Sequence, residues 1–296
     1  MGCKIAVNES AVKRRIFTIV IALLAIVIAF VFCFSNAAFE QPPQKFITQP
    51  SDAEKFTSTK TIACWGDSLT EGDGASPAVI TKNGIAFDIS YLSYPDILEQ
   101  LTGMKTYNYG LSGATSDKIA FMQGGLKDIE LFNPSSPISP QIMLQARVNR
   151  SDILIIEMGS NGGWNNAYYD LVEQYKSMIE YAHCKEYIII GDTDDPGESA
   201  DINQDFFEEG EGLDETTWET ALREEFDEHF INMRVYLIEN GLEVAGLDET
   251  VEDEIYASYG CISPQLRADL THLNSYGYYA QATAVYEKGK ELGYWN

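Results

Sequence analysis

No charge interrupts positions 16–34, IFTIVIALLAIVIAFVFCF, and so long an apolar run must be hidden from water. Wound as a helix, its 19 residues extend about 28 Å, close to the hydrocarbon thickness of a bilayer. Lys13, Arg14 and Arg15 stand immediately before it. The positive-inside rule then keeps residues 1–15 in the cytoplasm and sends everything after position 34 outside. Two fates are open: a retained transmembrane helix or signal anchor, or a cleaved signal peptide ending near Ala37, where Ser35-Asn36-Ala37 supplies small residues. The length favours the anchor, because cleavable apolar regions run only ~7–15 residues. The expected location is membrane-anchored with the rest of the chain extracytoplasmic, or secreted if cleavage occurs.

Charge narrows the partners. The chain carries a formal −25, and without residues 1–38 it keeps 16 basic against 44 acidic side chains, a net −28. Such a body repels nucleic acid and anionic lipid headgroups and suits neutral or cationic substrates. A hydrophobic content of 45% excludes a wholly disordered chain. Cys3 and Cys33 lie before or inside the apolar run, leaving Cys64, Cys184 and Cys261, an odd number without C-x-x-C spacing. Neither a zinc site nor a disulfide framework is indicated, and buried small side chains are the expectation for all three.

Residues 35–58, with Pro42, Pro43 and Pro50, show no sustained period and read as an extracytoplasmic linker. From position 59 to 296 short apolar runs alternate with helical patterns. Strands are expected at 61–65, 105–109, 152–158, 187–191 and 230–233. That alternation implies a parallel sheet with helices on both faces. Ser93-Tyr94-Pro95-Asp96 opens one helix, closed by Gly103; another is expected over 166–183. The last runs from Ser275 towards Leu292, capped by Asn274, with Tyr278, Ala282, Val285 and Tyr286 on a core face and Gly293 past its end. About 192–228 the chain is strongly acidic, an insertion ending in a helix. It lacks the alternating Asp spacing of a calcium loop, so a solvated face is expected, with no metal and no cofactor.

The chemistry begins at Gly66-Asp67-Ser68-Leu69-Thr70, directly after the first expected strand. A serine there lies at the carboxyl end of a parallel strand, where open α/β sheets place their ligand crevices. Alone, such a tripeptide is an ordinary turn. Three further blocks follow in order: Leu111-Ser112-Gly113-Ala114-Thr115, Gly159-Ser160-Asn161, and Asp269-Leu270-Thr271-His272. Together the four blocks closely resemble those of the GDSL, or SGNH-hydrolase, family, over roughly residues 59–295.

The resemblance implies a three-layer α/β/α sandwich of flavodoxin-like topology, strand order 2-1-3-4-5. It also implies a serine esterase with Ser68 as nucleophile, His272 as base and Asp269 orienting it. The implied oxyanion donors are the Ser68 and Gly113 backbone N–H groups and the Asn161 amide. The residue types suit those roles. A serine hydroxyl needs a neighbouring base, imidazole titrates near neutrality, and a carboxylate three residues away can hold the ring. Glycine at 113 allows close approach and positive φ. One departure is Gly162, where the family usually has Asp, which removes a carboxylate from beside Asn161. Trp65 and Asp67 are expected to serve packing and the turn, Asp192 to lie near the crevice, and His183 and His229 to be surface or helix-end residues. The expected substrate is a small-molecule or carbohydrate ester, with O-acetyl or other short acyl groups. The rival readings are an O-acyltransferase on the same site and an inactive, membrane-tethered glycan-binding module.

Overall fold

The computed structural model of the protein describes residues 59–82, 84–126, 151–164, 168–193 and 213–295. The apolar run 16–34, the linker and residues 194–212 of the acidic stretch lie outside the described residues. Among the described residues no helix is long and apolar enough to cross a membrane.

In chain order the elements are β1 (Ile62–Gly66), α1 (Ser68–Glu71), β2 (Val79–Lys82), β3 (Ile85–Asp88), α2 (Tyr94–Thr102), β4 (Thr106–Gly110) and α3 (Ser116–Gln123). They continue with β5 (Ile153–Glu157), α4 (Tyr168–Ala182), β6 (Glu186–Ile190), α5 (Thr217–Phe226), β7 (Phe230–Ile231), α6 (Met233–Ala245), α7 (Val251–Ser258) and α8 (Ser275–Glu291). Five strands form one parallel sheet in the order β4-β1-β5-β6-β7, the expected 2-1-3-4-5. In register, Gly66 pairs with both Gly110 and Glu157, and Glu157 with Ile190, so the carboxyl ends of four strands finish level. The crevice that such a sheet offers opens there.

β1 and β5 are buried at every position because both faces of the sheet are covered. Ala63, Trp65, Leu154, Ile156 and Ile189 pack with Ile119 of α3, Leu171 and Tyr175 of α4, and Trp218 and Leu222 of α5. The alternate residues Ile62, Cys64, Ile153, Ile155 and Ile188 are equally buried and point to the opposite face. On that side α8 packs between α2 and α6. Flanked in this way, α8 is buried around most of its circumference: Tyr278, Ala282 and Val285 are fully buried, while Tyr286 is partly covered by Trp295.

Local chemistry sets the element ends. Ser93 and Asp96 cap α2 reciprocally, and Gly103 closes it at φ +68°. Asn274 accepts from the N–H groups of Tyr276 and Gly277 at 2.9 and 3.1 Å, starting α8 where expected. The strand expected at 230–233 is shorter, Phe230–Ile231, because Asn232 accepts from Val235 N–H at 3.2 Å and turns the chain into α6. The β2–β3 hairpin, α6 and α7 were not anticipated. Between α5 and α6 lies a buried ion pair. Arg234 Nε and Nη2 donate to the two Glu219 oxygens at 2.7 and 2.8 Å, and Nη1 donates to Gly260 O.

Candidate active site

At the end of β1 the chain turns sharply. A Cβ on Gly66 would collide with Thr70 Oγ1 and the Glu157 carbonyl, so only glycine permits this approach. Asp67 caps α1, its Oδ1 accepting from Leu69 N–H at 3.1 Å. Ser68 is the first residue of that single turn, which Gly72 closes at φ +102°. Its backbone N–H is among the leading amides of a helix, which have no intrahelical acceptor.

The His272 loop is built around one carboxylate. Asp269 Oδ1 accepts from the N–H groups of Thr271 and His272 at 2.8 and 2.7 Å, and Oδ2 lies 2.9 Å from His272 Nδ1. Partial burial would raise the Asp269 pKa, but the bonds from the His272 ring and the two amides outweigh it and hold the carboxyl below its ordinary range. A carboxylate on Nδ1 makes Nδ1 the protonated nitrogen and leaves Nε2 as the free base.

The segment after α1 is clasped by the chain around His272. A Cβ on Gly74 would meet Leu273 O at 2.6 Å and His272 Cβ at 2.9 Å. Ser76 N–H donates to Ser275 Oγ at 2.9 Å, Ser275 Oγ returns a bond to Ser76 O at 2.6 Å, and Tyr278 OH donates to Asp73 O. The structure thus brings the Ser68 turn and the Asp269–His272 pair to one place. A positive charge on His272 would favour ionised Asp67, the neighbour of Ser68. No hydrogen bond links Ser68 Oγ to the His272 ring among the described residues; such bonds are often long until substrate binds.

The two remaining blocks flank the same turn. Gly113 follows β4, is exposed, and holds φ +68° with open space where a Cβ would stand, so its conformation rather than crowding selects glycine. Asn161 follows β5 and donates from Nδ2 to Asp67 Oδ2 at 3.1 Å. Asp67 therefore does more than stabilise the turn. It anchors the Asn161 amide, the support that the Gly162 departure had put in question. Gly162 itself, at φ +76°, fixes its loop through the main chain: its carbonyl accepts from Ser116 N and Oγ at 2.9 and 3.0 Å.

The floor of the crevice is acidic. Asp67 is 1% exposed, and burial, with the nearby Asp192 charge adding, pushes its pKa up to about 7 against the bonds from Leu69 and Asn161. Glu157, 3% exposed, is raised well above the carboxylate range by burial and then by Asp67 and Asp192. Among the described residues these acids form no group suited to a metal ion. Sequence reasoning passed over Glu157; its signal was a lone charge ending the otherwise apolar run 153–157, one block short of Asn161. Beside the Asn161 loop, Trp164 stacks on Tyr168 with centroids 5.1 Å apart and donates from Nε1 to Gly159 O.

The other singled-out residues have structural surroundings. Trp65 is buried and stacked on Tyr109 at 4.4 Å. His183 ends α4 at φ +53°, and His229 stacks on Tyr187 at 4.0 Å with Nδ1 2.9 Å from Tyr294 OH. Cys64 and Cys261 are buried thiols, whereas Cys184 is partly exposed, its thiol donating to Asp152 O.

Comparison with known proteins completes the picture. Among curated proteins, no sequence matches the chain. Solved structures similar to it include a G-D-S-L-family lipolytic protein from Desulfitobacterium hafniense DCB-2, at 16% identity and TM-score 0.44, covering 77% of this chain and 99% of that one. Another is a G-D-S-L-family lipolytic protein from Veillonella parvula DSM 2008, at 14% and 0.36, covering 77% and 96%. A third is a family two carbohydrate esterase from Clostridium thermocellum in complex with cellohexaose, at 14% and 0.38, covering 79% and 65%. The GDSL-like lipase/acylhydrolase family model matches residues 64–280, a span reaching from β1 into α8 and containing all four sequence blocks. By that match the chain belongs to the GDSL-like lipase/acylhydrolase family, and it is a hydrolase acting on ester bonds.

Proposed function

We propose that the protein is a serine esterase that cleaves short-acyl carboxylic esters, O-acetyl esters of carbohydrate foremost, through an acyl-Ser68 intermediate. The observation that supports this reading is the clasp that joins the segment following the Ser68 turn to the chain around the Asp269–His272 pair. In the proposed first step Ser68 Oγ attacks the ester carbonyl while His272 Nε2 takes its proton. Asp269, bonded at Nδ1, stabilises the imidazolium. The oxyanion receives hydrogen bonds from Ser68 N–H, Gly113 N–H and the Asn161 amide. His272 then protonates the departing alcohol, and a water activated by the same ring releases the acid.

The substrate class rests on charge and expected location. A body of net −28 repels anionic lipid surfaces, and the 16–34 run, read as an anchor, sets it outside the cell beside polysaccharide. The test is p-nitrophenyl acetate hydrolysis by wild type, Ser68→Ala and His272→Ala, followed by acetylated glycans against long-chain lipid esters. Turnover lost in both variants and preference for acetylated glycan are expected. Equal turnover in the Ser68→Ala protein overturns the mechanism, and comparable rates on lipid esters overturn the substrate class.

A further inference from the structure

Glu157 ends β5 directly under the Ser68 turn, and both of its oxygens are engaged. Thr70 Oγ1 donates to Oε2 at 3.2 Å, and Gln281 Nε2 donates to Oε1 at 2.8 Å. Thr70 lies on α1, two residues after Ser68, while Gln281 lies on α8, the helix that begins three residues after His272. Thr70 Oγ1 is also 3.4 Å from Tyr94 OH on α2. Thr70, Tyr94 and Gln281 are fully buried. The central strand therefore carries one side chain that touches both the element bearing Ser68 and the element that follows the base. The partly buried clasp between segments 73–76 and 272–278 joins the same two elements at a second place; Glu157 joins them through the core.

We propose that Glu157 is a positioning residue for ester hydrolysis, a buried strut that sets the register of Ser68 against His272 through Thr70 and Gln281. The inference rests on the esterase reading and deepens it. The ionisable groups that act on Glu157 are Asp67, after β1, and Asp192, after β6. Those on which it acts are Cys64 of β1, Tyr94 of α2, Tyr175 of α4 and Tyr278 of α8. All are acids, so an ionised Glu157 would add charge to a pocket of its own sign without a countercharge from this set. A neutral carboxylic acid pairs a hydroxyl donor with a carbonyl acceptor, and a glutamine amide sets an NH2 donor and a carbonyl acceptor at the same two positions, where the NH2 can donate to the Thr70 hydroxyl in place of accepting from it. The strut is a matter of hydrogen bonding, not of charge.

The experiment compares kcat and KM for p-nitrophenyl acetate in the full-length chain and its Glu157→Gln and Glu157→Leu variants, with near-ultraviolet circular dichroism to establish folding. Glu157→Gln keeps both contacts, its carbonyl accepting from Gln281 and its NH2 donating to Thr70 Oγ1 in a reversed bond, and should retain kcat within about threefold, whereas Glu157→Leu, which loses both, should lose on the order of a hundredfold in kcat with KM little changed, the scale expected for a misplacement of about 1 Å. If Glu157→Leu does not fold, Thr70→Val and Gln281→Leu each cut one end of the strut and should lower kcat by about tenfold at constant KM. A folded Glu157→Leu protein with wild-type kcat overturns the proposal, as does a Glu157→Gln protein damaged as severely as Glu157→Leu. An inactive wild type would instead defeat the esterase reading itself, which keeps the two failures apart.

Discussion

Replacing Asp67 by Asn should make the protein more stable and less active, and the sign of the stability change should depend on pH. Asp67 titrates from 3.8 in the unfolded chain to about 7 in the fold. Between those values the native state binds more protons than the unfolded state, so this group's contribution to stability falls as pH rises through the window and stays low above it. Three pKa units amount to about 4 kcal/mol of penalty at pH 8. Asn escapes that penalty but has one side-chain oxygen where Asp67 uses two, for Leu69 N–H and for the Asn161 amide. Leaving one of these buried donors without its acceptor costs about 1–3 kcal/mol. The net expectation is a gain of about 1–3 kcal/mol at pH 8 and a loss of about 1 kcal/mol or more at pH 4.5. Urea denaturation of wild type and Asp67→Asn at the two pH values measures the difference directly, and taking it between the two proteins removes most of the contribution of other titrating groups. A stability difference unchanged from pH 4.5 to pH 8 refutes the reasoning, since it would mean that Asp67 titrates as an ordinary carboxyl. The same variant should turn over ester more slowly, because the Asn161 amide loses part of its anchor.

Other consequences are as specific. Asn161→Ala removes one proposed oxyanion donor and should lower kcat by about a hundredfold, read in steady-state hydrolysis of p-nitrophenyl acetate with little change in KM. Gly113→Ala places a Cβ in open space but at φ +68°, so it should cost about 1–2 kcal/mol in chemical denaturation and slow turnover by shifting the N–H. Arg234→Ala strands Glu219 in a site where both side chains are 2% exposed, and thermal or urea unfolding should show a loss of about 3–5 kcal/mol.

Much of this fold could be read from residue order because its signals are local. The central strands β1 and β5 are buried on both faces and apolar save for Glu157, so their runs stand out, and the caps at Ser93 and Asn274 mark helix starts through side chains a few residues from the amides they satisfy. Other features carried local signals that went unread. Asn83-Gly84 is a hairpin dipeptide between β2 and β3, and Thr250 with Asp253 is a capping box opening α7. The short β7 was overestimated because Phe230, Ile231 and Met233 are apolar, while Asn232 between them caps α6 and stops the strand after Ile231.

In the site, the four blocks gave the residues but not their couplings. That Asp67 holds Asn161 joins positions 94 residues apart, and no spacing rule reaches so far. Gly162 looked like a weakness only while the missing carboxylate was sought next to Asn161 in the chain; in the fold another carboxylate reaches the same amide. Glu157 was invisible for a related reason: a single acid at a strand end is commonplace, and its meaning comes from Thr70 and Gln281 meeting it from two helices.

The central claim is that Ser68 is the nucleophile, and a fluorophosphonate probe tests it most directly. The full-length protein is labelled, digested and mapped by mass spectrometry, beside Ser68→Ala. A single phosphonyl adduct on Ser68, absent from the variant and formed in step with loss of p-nitrophenyl acetate hydrolysis, is the predicted result. An active wild type that carries no adduct on Ser68, or a Ser68→Ala protein that still hydrolyses the ester at the wild-type rate, contradicts it.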